Sequence, residues 1–200
     1  MGQLYVLSAP SGAGKTTISR RLLSRKPELV YSISYTTRPA RPDEVDGRDY
    51  FFVSSGQFQK MIQEQALLEW AEHFGAYYGT GKTWVTGKLG RGLDVLVDVD
   101  VAGARQIKAN LPAAVLIFIV PPTLAELERR LRSRHTETEA QLQLRLGRAR
   151  AEIEARTVYD YLIINDDLER AVSDIMDLMR AESLRMERAE AFWPGFFDGS

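Results

Sequence analysis

The start of the chain constrains the fold most, because a short apolar run, a glycine-rich loop and a helical segment follow one another there. Residues 4–8 (LYVLS) indicate a buried strand, and residues 16–24 have helical spacing that stops before Pro27. Between them, residues 9–16 (APSGAGKT) approach the phosphate-binding pattern G-x-x-x-x-G-K-[ST]. Ala9 replaces the first Gly, but Gly12 and Gly14 still supply the special backbone angles. This order predicts a phosphate cradle, with Lys15 on the β- and γ-phosphates and Thr16 on a metal ion.

A second stretch, residues 76–83 (AYYGTGKT), fits the same pattern A-x-x-G-x-G-K-T. It follows LLEWAEHFG rather than a buried-type strand, and three glycines come within the next dozen residues, at Gly87, Gly90 and Gly92. These glycines leave room for little helix, and a cradle needs a helix N-terminus. We therefore expect only the first loop to bind phosphate.

Further apolar runs at 94–100, 114–120 and 161–165 are too short for lone helices and rich in Val and Ile. Helical patterns at 124–134 and 168–191 separate or follow them. This alternation predicts an α/β protein with a parallel sheet covered on both faces. Residues 123–156 are highly charged, and Thr123 with Glu126 and Thr136 with Glu139 are spaced as helix capping boxes.

Composition excludes several classes of function. The chain has 26 basic and 27 acidic residues, a net charge of −1, which does not suit a general nucleic-acid or membrane-surface binder. It has no cysteine and two histidines, so thiolate chemistry and a histidine-rich metal site are not expected. No secretory signal or membrane span is apparent, so we expect a soluble, cytoplasmic protein.

Two sets of side chains suggest what the phosphate loop serves. Asp98 and Asp100 are two apart at the end of an apolar run, so both are expected on one face of a strand, with one of them organising Mg²⁺. The polar segment 34–85 contains two arginines and two tyrosines that together suit a phosphate monoester, namely Arg38, Arg41, Tyr50 and Tyr78. An anionic acceptor for a phosphoryl group is therefore indicated.

The motifs taken together resemble the guanylate kinase family. Behind the phosphate loop come SISYTTRPAR, EVDGRDYFFV, LLEWAEHFGAYYGT, VLVDVDVAGA, RHTETEAQLQLRL and IINDDL, in that order. The resemblance implies a three-layer P-loop kinase sandwich: a parallel-sheet core (residues 1–33, 86–122 and 157–200), an inserted GMP-binding lobe (34–85) and a helical lid (123–156). It also implies reversible phosphoryl transfer from Mg-ATP to GMP or dGMP, giving ADP and GDP.

The resemblance also implies residue roles. Glu69 is the carboxylate that accepts from guanine N1 and N2, helped by Ser34 and Thr80, with Asp100 near the 2-amino group. The ATP-binding residues implied are Ala9, Pro10, Ser11, Gly12, Ala13, Gly14, Lys15, Thr16, Thr17 and Asn165. The acceptor-site residues are Ser34, Arg38, Arg41, Tyr50, Glu69, Tyr78, Gly79, Thr80, Asp98 and Asp100. We assign phosphoryl transfer to Lys15, Arg38, Arg134 and Arg145, and the metal, Mg²⁺, to Thr16 and Asp98.

The acceptor phosphate is largely a dianion at neutral pH and needs no general base, which suits a site with no suitably placed histidine. Two alternatives remain. A non-catalytic scaffold domain of this family usually lacks the Lys or lid arginines, which are present here. A same-fold kinase for another phosphorylated acceptor would not need Ser34, Glu69 and Thr80. The tail has four aromatic residues at positions 192–197, which either fold onto the core or form a self-association patch, so the oligomeric state stays open.

Overall fold

The structure is a computed structural model and describes residues 1–133, 139–191 and 193. The strands are β1 (Leu4–Ser8), β2 (Val30–Tyr31), β3 (Tyr35–Thr36), β4 (Phe51–Phe52), β5 (Leu67–His73), β6 (Ala76–Gly81), β7 (Val95–Asp98), β8 (Val115–Val120) and β9 (Tyr161–Ile164). The helices are α1 (Lys15–Arg25), α2 (Ser55–Gln63), α3 (Lys82–Gly90), α4 (Val101–Asn110), α5 (Leu124–Arg132), α6 (Glu139–Glu154) and α7 (Leu168–Ser183). Two 3₁₀ turns, Ala155–Val158 and Met186–Ala191, follow α6 and α7.

A parallel sheet in the order β2-β7-β1-β8-β9 forms the middle layer of the core. Side chains of β1 alternate between its two faces, as expected for a strand buried on both sides. Tyr5 and Leu7 pack with residues of α1 and α7, whereas Leu4 and Val6 pack with residues of α3 and α4. The predicted three-layer α/β fold is therefore confirmed, and each of the three later apolar runs contains a strand, respectively β7, β8 and β9.

The helices begin and end close to the predicted positions, with one exception. Thr123 caps α5, because its side chain accepts from the Glu126 N–H at 3.0 Å. The predicted cap at Thr136 lies outside the described residues, as does most of the aromatic tail. The pattern over 168–191 is not one helix but two segments, α7 and the 3₁₀ turn that begins at Met186. Within the described part of the chain, no helix is long and apolar enough to cross a membrane.

A second sheet, in the order β4-β3-β6-β5, lies within the segment predicted to form an inserted lobe. β5 and β6 are antiparallel, and their register shifts between Leu67 and Glu69. Leu68, at this bulge, is fully buried among the side chains of α3, α4 and β1. The second sheet is thus anchored directly in the core beside α4.

The charged segment 123–156 folds as α5 and α6, which pack on each other through Leu127, Leu131, Leu142 and Ala149. The boundaries given above for core, lobe and lid stay a prediction. The helix α3 spans Lys82–Gly90, so the boundary set at residue 85 falls inside a helix.

We expect Phe58→Ala to lower the free energy of unfolding by about 3–5 kcal/mol, because truncating a buried aromatic removes its contacts and leaves a cavity. Phe58 is the buried residue of α2, and its ring stacks on that of Tyr77 with centroids 5.4 Å apart. Phe74→Ala, at a fully exposed phenylalanine after β5, is the matched control and is expected to change stability by less than about 0.5 kcal/mol. Urea unfolding of both variants checks this, and equal losses would contradict it.

Candidate active site

The loop between β1 and α1 has the backbone shape of a phosphate cradle. Gly12 and Gly14 have φ of 92° and 95°, in the left-handed region that glycine adopts without strain. Gly14 is also the N-cap of α1, so the N-terminal N–H groups of the helix open onto the loop. A Cβ on Gly14 would lie 2.5 Å from the side-chain nitrogen of Asn165, so a side chain there is excluded by packing as well.

The second copy of the motif has a different backbone. The expectation of little helix after it was wrong, because α3 begins at Lys82, directly after β6. Nevertheless Gly79 and Gly81 have no positive φ, and Gly79 pairs with Tyr35 and Trp70 as an ordinary strand residue. The ring of Tyr35 packs over Gly81, at 2.6 Å from where a Cβ would lie. These glycines therefore make room for sheet pairing and an aromatic ring and do not form a cradle.

Lys15 extends from the first turn of α1 across the carboxyl end of β7. Its Nζ donates to the carbonyl of Val99 at 2.9 Å. Burial lowers the pKa of Lys15, while the carboxylates of Asp98 and Asp100 raise it in the opposite direction. The structure therefore places the lysine between the phosphate loop and these two aspartates.

A cavity of about 390 Å³ adjoins the phosphate loop. It is lined by Gly12, Gly14, Thr17, Arg130, Asn165, Asp166 and Leu168. The Asn165 amide donates to the Ala13 carbonyl at 2.7 Å, and Arg130 donates to the Asn165 carbonyl at 2.9 Å. Asn165 therefore braces the loop with its side chain. The sequence analysis missed Arg130, whose place in this wall follows from α5 packing over the loop.

Asp98 and Asp100 do not project from one face of a strand, contrary to our expectation. β7 ends at Asp98, and Asp100 is the N-cap of α4, with its Oδ1 accepting from the Gly103 N–H at 2.8 Å. The two-residue alternation fails because the strand stops between them. Oδ2 of Asp100 lies 3.8 Å from Nε2 of His73. His73 therefore stands beside Asp100, at the rim of the candidate site.

Glu69 is a buried carboxylate, 7% exposed, at the bulge in β5. The bulge brings Glu69 opposite Thr80, whose hydroxyl donates to Oε1 at 2.7 Å. Gly103 leaves space on the other side, because a Cβ there would lie 3.1 Å from Oε2. Burial raises the pKa of Glu69 to about 7, with the Thr80 hydrogen bond acting in the opposite direction and Asp100 adding to the rise.

Helix α4 holds the backbone of β5 on both sides of Glu69. The Gln106 amide accepts from Trp70 N–H at 3.1 Å and donates to the Trp70 carbonyl at 3.0 Å. The Asn110 amide donates to the Leu68 carbonyl at 2.8 Å. Gln106 and Asn110 are four residues apart, so both lie on one face of α4. Neither was identified from the sequence, since a lone amide in a helix carries no motif.

The predicted phosphate clamp is assembled on the second sheet and the loop beside it. The rings of Tyr50 and Tyr78 are 6.2 Å apart, and the guanidinium of Arg38 lies 5.3 Å from the Tyr50 ring centroid. Arg41 is exposed in the same loop. Ser34 lies next to β3, and its carbonyl accepts from Phe51 N–H at 3.0 Å.

The lid residues are placed only in part. Arg134 and His135 lie outside the described residues. Arg145 is on α6, seven residues before Glu152, so these two side chains share a helix face. Burial raises the pKa of Glu152, and so does Asp100, while Lys15 lowers it. The end of α6 therefore faces the same cleft as Lys15.

Thr16 and Asp98, the residues assigned to a metal, suit Mg²⁺ in chemistry. Thr16 is exposed in the first turn of α1, and Asp98 is half-buried at the end of β7. Among the residues that the structure describes, no three His, Cys, Asp or Glu side chains form a metal-binding group. Mg²⁺ is commonly held by one or two protein oxygens with substrate phosphates and water, and this donor set fits that kind of site.

The fold and these features define a P-loop α/β protein of the nucleotide-kinase class. The Guanylate kinase family model matches residues 1–182. The chain belongs to the guanylate kinase family, as the sequence motifs predicted.

Individual relatives agree over almost the whole chain. It is 48% identical to a guanylate kinase of Carboxydothermus hydrogenoformans over 187 residues, which is 94% of this chain and 92% of that protein. It is 43% identical to a guanylate kinase of Vibrio parahaemolyticus over 199 residues, 98% and 96% of the two chains. The crystal structure of guanylate kinase from Anaplasma phagocytophilum superimposes with a TM-score of 0.74 at 31% identity, over 97% of this chain and 94% of the other.

Burial of Glu69 predicts a stability difference that depends on pH. The folded pKa of about 7 lies above the unfolded value of 4.5, so the folded state holds the extra proton between these values. The contribution of Glu69 to the free energy of unfolding is fully present below about pH 4.5 and is lost as the pH rises through 7. As the pH rises from 5 to 8, we expect the free energy of unfolding of Glu69→Gln to increase by roughly 3 kcal/mol relative to that of the parent.

Urea unfolding at unit steps of pH measures this difference. Glu72→Gln, at an exposed glutamate of the same strand, is the control and should show no such trend. If the free energies of unfolding of the parent and of Glu69→Gln changed with pH in the same way, Glu69 would not be desolvated in solution.

Proposed function

We propose that the chain transfers the γ-phosphoryl group of ATP to GMP, and to dGMP, giving ADP and the nucleoside diphosphate. The observation that carries the proposal is the buried carboxylate of Glu69. Guanine presents two N–H donors, at N1 and N2, that a carboxylate accepts together, whereas adenine has no such pair. Lys15 and Glu69 are close enough that each shifts the pKa of the other, so the phosphate loop and the base-reading carboxylate share one cleft.

Each site residue has a proposed role in this reaction. The loop of residues 9–17 and the cavity beside Asn165 hold ATP, with Arg130 added to the residues expected from the sequence. Arg38, Arg41, Tyr50 and Tyr78 hold the GMP phosphate. Ser34, Gly79, Thr80 and Asp100 complete the guanine pocket around Glu69. Arg134 and Arg145 are proposed to approach the phosphates from the lid.

The chemistry required of the chain is alignment and neutralisation. The acceptor phosphate has a second pKa near about 6 and is mostly a dianion at neutral pH, so it attacks without a general base. Lys15 and the arginines offset the repulsion between two anionic nucleotides and hold the reacting oxygens in line. His73 is therefore not needed as a base, although it lies beside Asp100.

Mg²⁺ is the proposed cofactor, with Thr16 and Asp98 holding it or its waters. When bound it neutralises charge on the ATP phosphates. Thr16 in the first turn of α1 and Asp98 at the end of β7 would hold it. We further propose a cytoplasmic enzyme that does not bind nucleic acid or membranes. Nothing in the fold favours a scaffold domain or another acceptor.

An acceptor panel tests the function. ADP production from Mg-ATP is measured with GMP, dGMP, AMP, CMP, UMP or no acceptor. We expect turnover with GMP and dGMP alone, and none for Lys15→Ala, which should still bind GMP in calorimetry. Turnover with a different acceptor, or GMP binding without turnover in the parent chain, would reject the proposal in favour of one of the alternatives.

Selectivity for guanine tests the role of Glu69 separately. Glu69→Ala should lower the preference for GMP over AMP by about 1–3 kcal/mol, because one hydrogen-bonded pair to the base is lost. Calorimetric affinities for both nucleotides measure it, with Glu72→Ala as the matched control on the same strand. Unchanged selectivity in Glu69→Ala would remove this residue from the guanine pocket.

A further inference from the structure

An acidic side chain, Glu44, lies against the proposed phosphate clamp, and the roles given above do not explain it. Its Oε1 accepts from NH2 of Arg38 at 2.8 Å, and its Oε2 accepts from NH1 at 2.9 Å. Oε2 also accepts from the backbone N–H of Arg41 at 2.8 Å. One carboxylate therefore contacts both arginines of the clamp. The pair is mostly shielded, with 20% of the Arg38 side chain and 17% of the Glu44 side chain exposed.

Glu44 and Pro39 contact one end of the Arg38 guanidinium, and Tyr78, another residue of the clamp, also forms a side-chain hydrogen bond with it. NH1 uses its two hydrogens on Glu44 and on the carbonyl of Pro39 at 2.8 Å. NH2 uses one hydrogen on Glu44. The Nε–H and the second NH2 hydrogen together form a side-on fork, which is the arrangement that binds two oxygens of one phosphate.

The surroundings of Arg38 fix the plane of that fork. The guanidinium lies 5.3 Å from the ring centroid of Tyr50 and 5.9 Å from that of Phe52. Its backbone N–H donates to the Thr36 hydroxyl at 3.2 Å. A free arginine loses rotamer entropy when it binds a ligand, and a guanidinium already held in place loses less.

Glu44 stays ionised throughout the working range of pH. The Arg38 hydrogen bonds and then the Arg41 N–H lower its pKa to about 2. Protonation of Glu44 therefore does not release Arg38 in that range of pH.

We propose that Glu44 is a positioning residue of the phosphate clamp, which holds the end of the Arg38 guanidinium and the Arg41 backbone so that the side-on fork of Arg38, on the edge away from Glu44, meets the acceptor phosphate. This rests on the proposed function, since it assumes that the clamp binds the phosphate of GMP. The opposite role, a carboxylate that occupies the clamp and competes with phosphate, would require Glu44 to cover the side-on fork. The geometry instead has it on the other edge.

The experiment compares two ligands that differ only in the phosphate. Calorimetry gives the affinity of GMP and of guanosine for the parent chain, Glu44→Ala, Glu44→Gln and Asp49→Asn. Asp49 is the matched control, because it accepts from Val45 N–H at 2.8 Å in the same loop but does not contact Arg38. We expect Glu44→Ala to weaken GMP at least about tenfold, with guanosine unchanged within about twofold.

Glu44→Gln should lose less than Glu44→Ala, since the amide oxygen still accepts one Arg38 hydrogen bond. In steady state the KM for GMP should rise, with kcat changing by less than about threefold, because the effect is on phosphate binding. In an Arg38→Ala background, Glu44→Ala should cause no further loss. Asp49→Asn should behave as the parent for both ligands.

Each other result overturns the proposal. Tighter GMP binding by Glu44→Ala would make Glu44 a competitor of phosphate. An unchanged GMP affinity would make the ion pair a surface contact, and equal loss of guanosine would mean that the loop is generally disrupted. If the parent chain bound GMP no more tightly than guanosine, that result would refute the clamp itself. A parent chain that binds neither ligand refutes the proposed function, which is a distinguishable outcome.

Discussion

The burial of the Glu69 carboxylate is the constraint on which the acceptor site depends. A charged group away from water is unfavourable unless it is hydrogen-bonded, and among the described residues Thr80 is the side chain that donates to Glu69. The arrangement around it is correspondingly specific: a bulge turns it inward, Gly103 makes room for it, and Gln106 and Asn110 hold the strand at either side. In the proposed function, a base with two adjacent donors would supply further hydrogen bonds to this carboxylate, so that guanine selectivity and the raised pKa would have the same physical cause.

The phosphate loop is joined to this pocket through the carboxyl ends of the parallel strands. β1 leads into the loop, β7 ends at Asp98, and the turn after β7 supplies both the Val99 carbonyl that Lys15 contacts and the N-cap of α4. Ligands of open parallel sheets lie at this edge because loops from neighbouring strands converge there. The same α4 that begins beside Lys15 then holds β5, so one helix connects the phosphate loop with the strand that carries Glu69.

The sequence predicted the layers of the fold and the family, since apolar runs and motif spacing are local properties. It failed where a residue's surroundings come from elsewhere in the chain. Asp100 was expected on a strand face, yet the strand ends two residues earlier, and a capping aspartate next to Gly103 looks the same in sequence as a strand aspartate. His73 is 27 positions from Asp100 and meets it only because β5 packs on α4. Gln106 and Asn110 carry no motif and act through backbone contacts that spacing does not reveal. Glu44 begins the motif EVDGRDYFFV, but its contact with Arg38 does not follow from the motif.

The distribution of charge explains how a chain of net charge −1 can accommodate two anionic nucleotides. Three acidic side chains near the cleft have local contacts: Asp100 caps a helix, Glu69 accepts from Thr80, and Glu44 contacts the edge of Arg38 away from Nε. In the proposed function, cationic and N–H groups are directed to the phosphates, at the start of α1 and on the side-on fork of Arg38. Coulomb interactions decay through solvent within about 10 Å at ordinary salt, so the placement of charges inside the cleft outweighs the net charge of the whole chain. Anion binding here is thus a matter of orientation, and the carboxylates contribute to it by holding the donors in place.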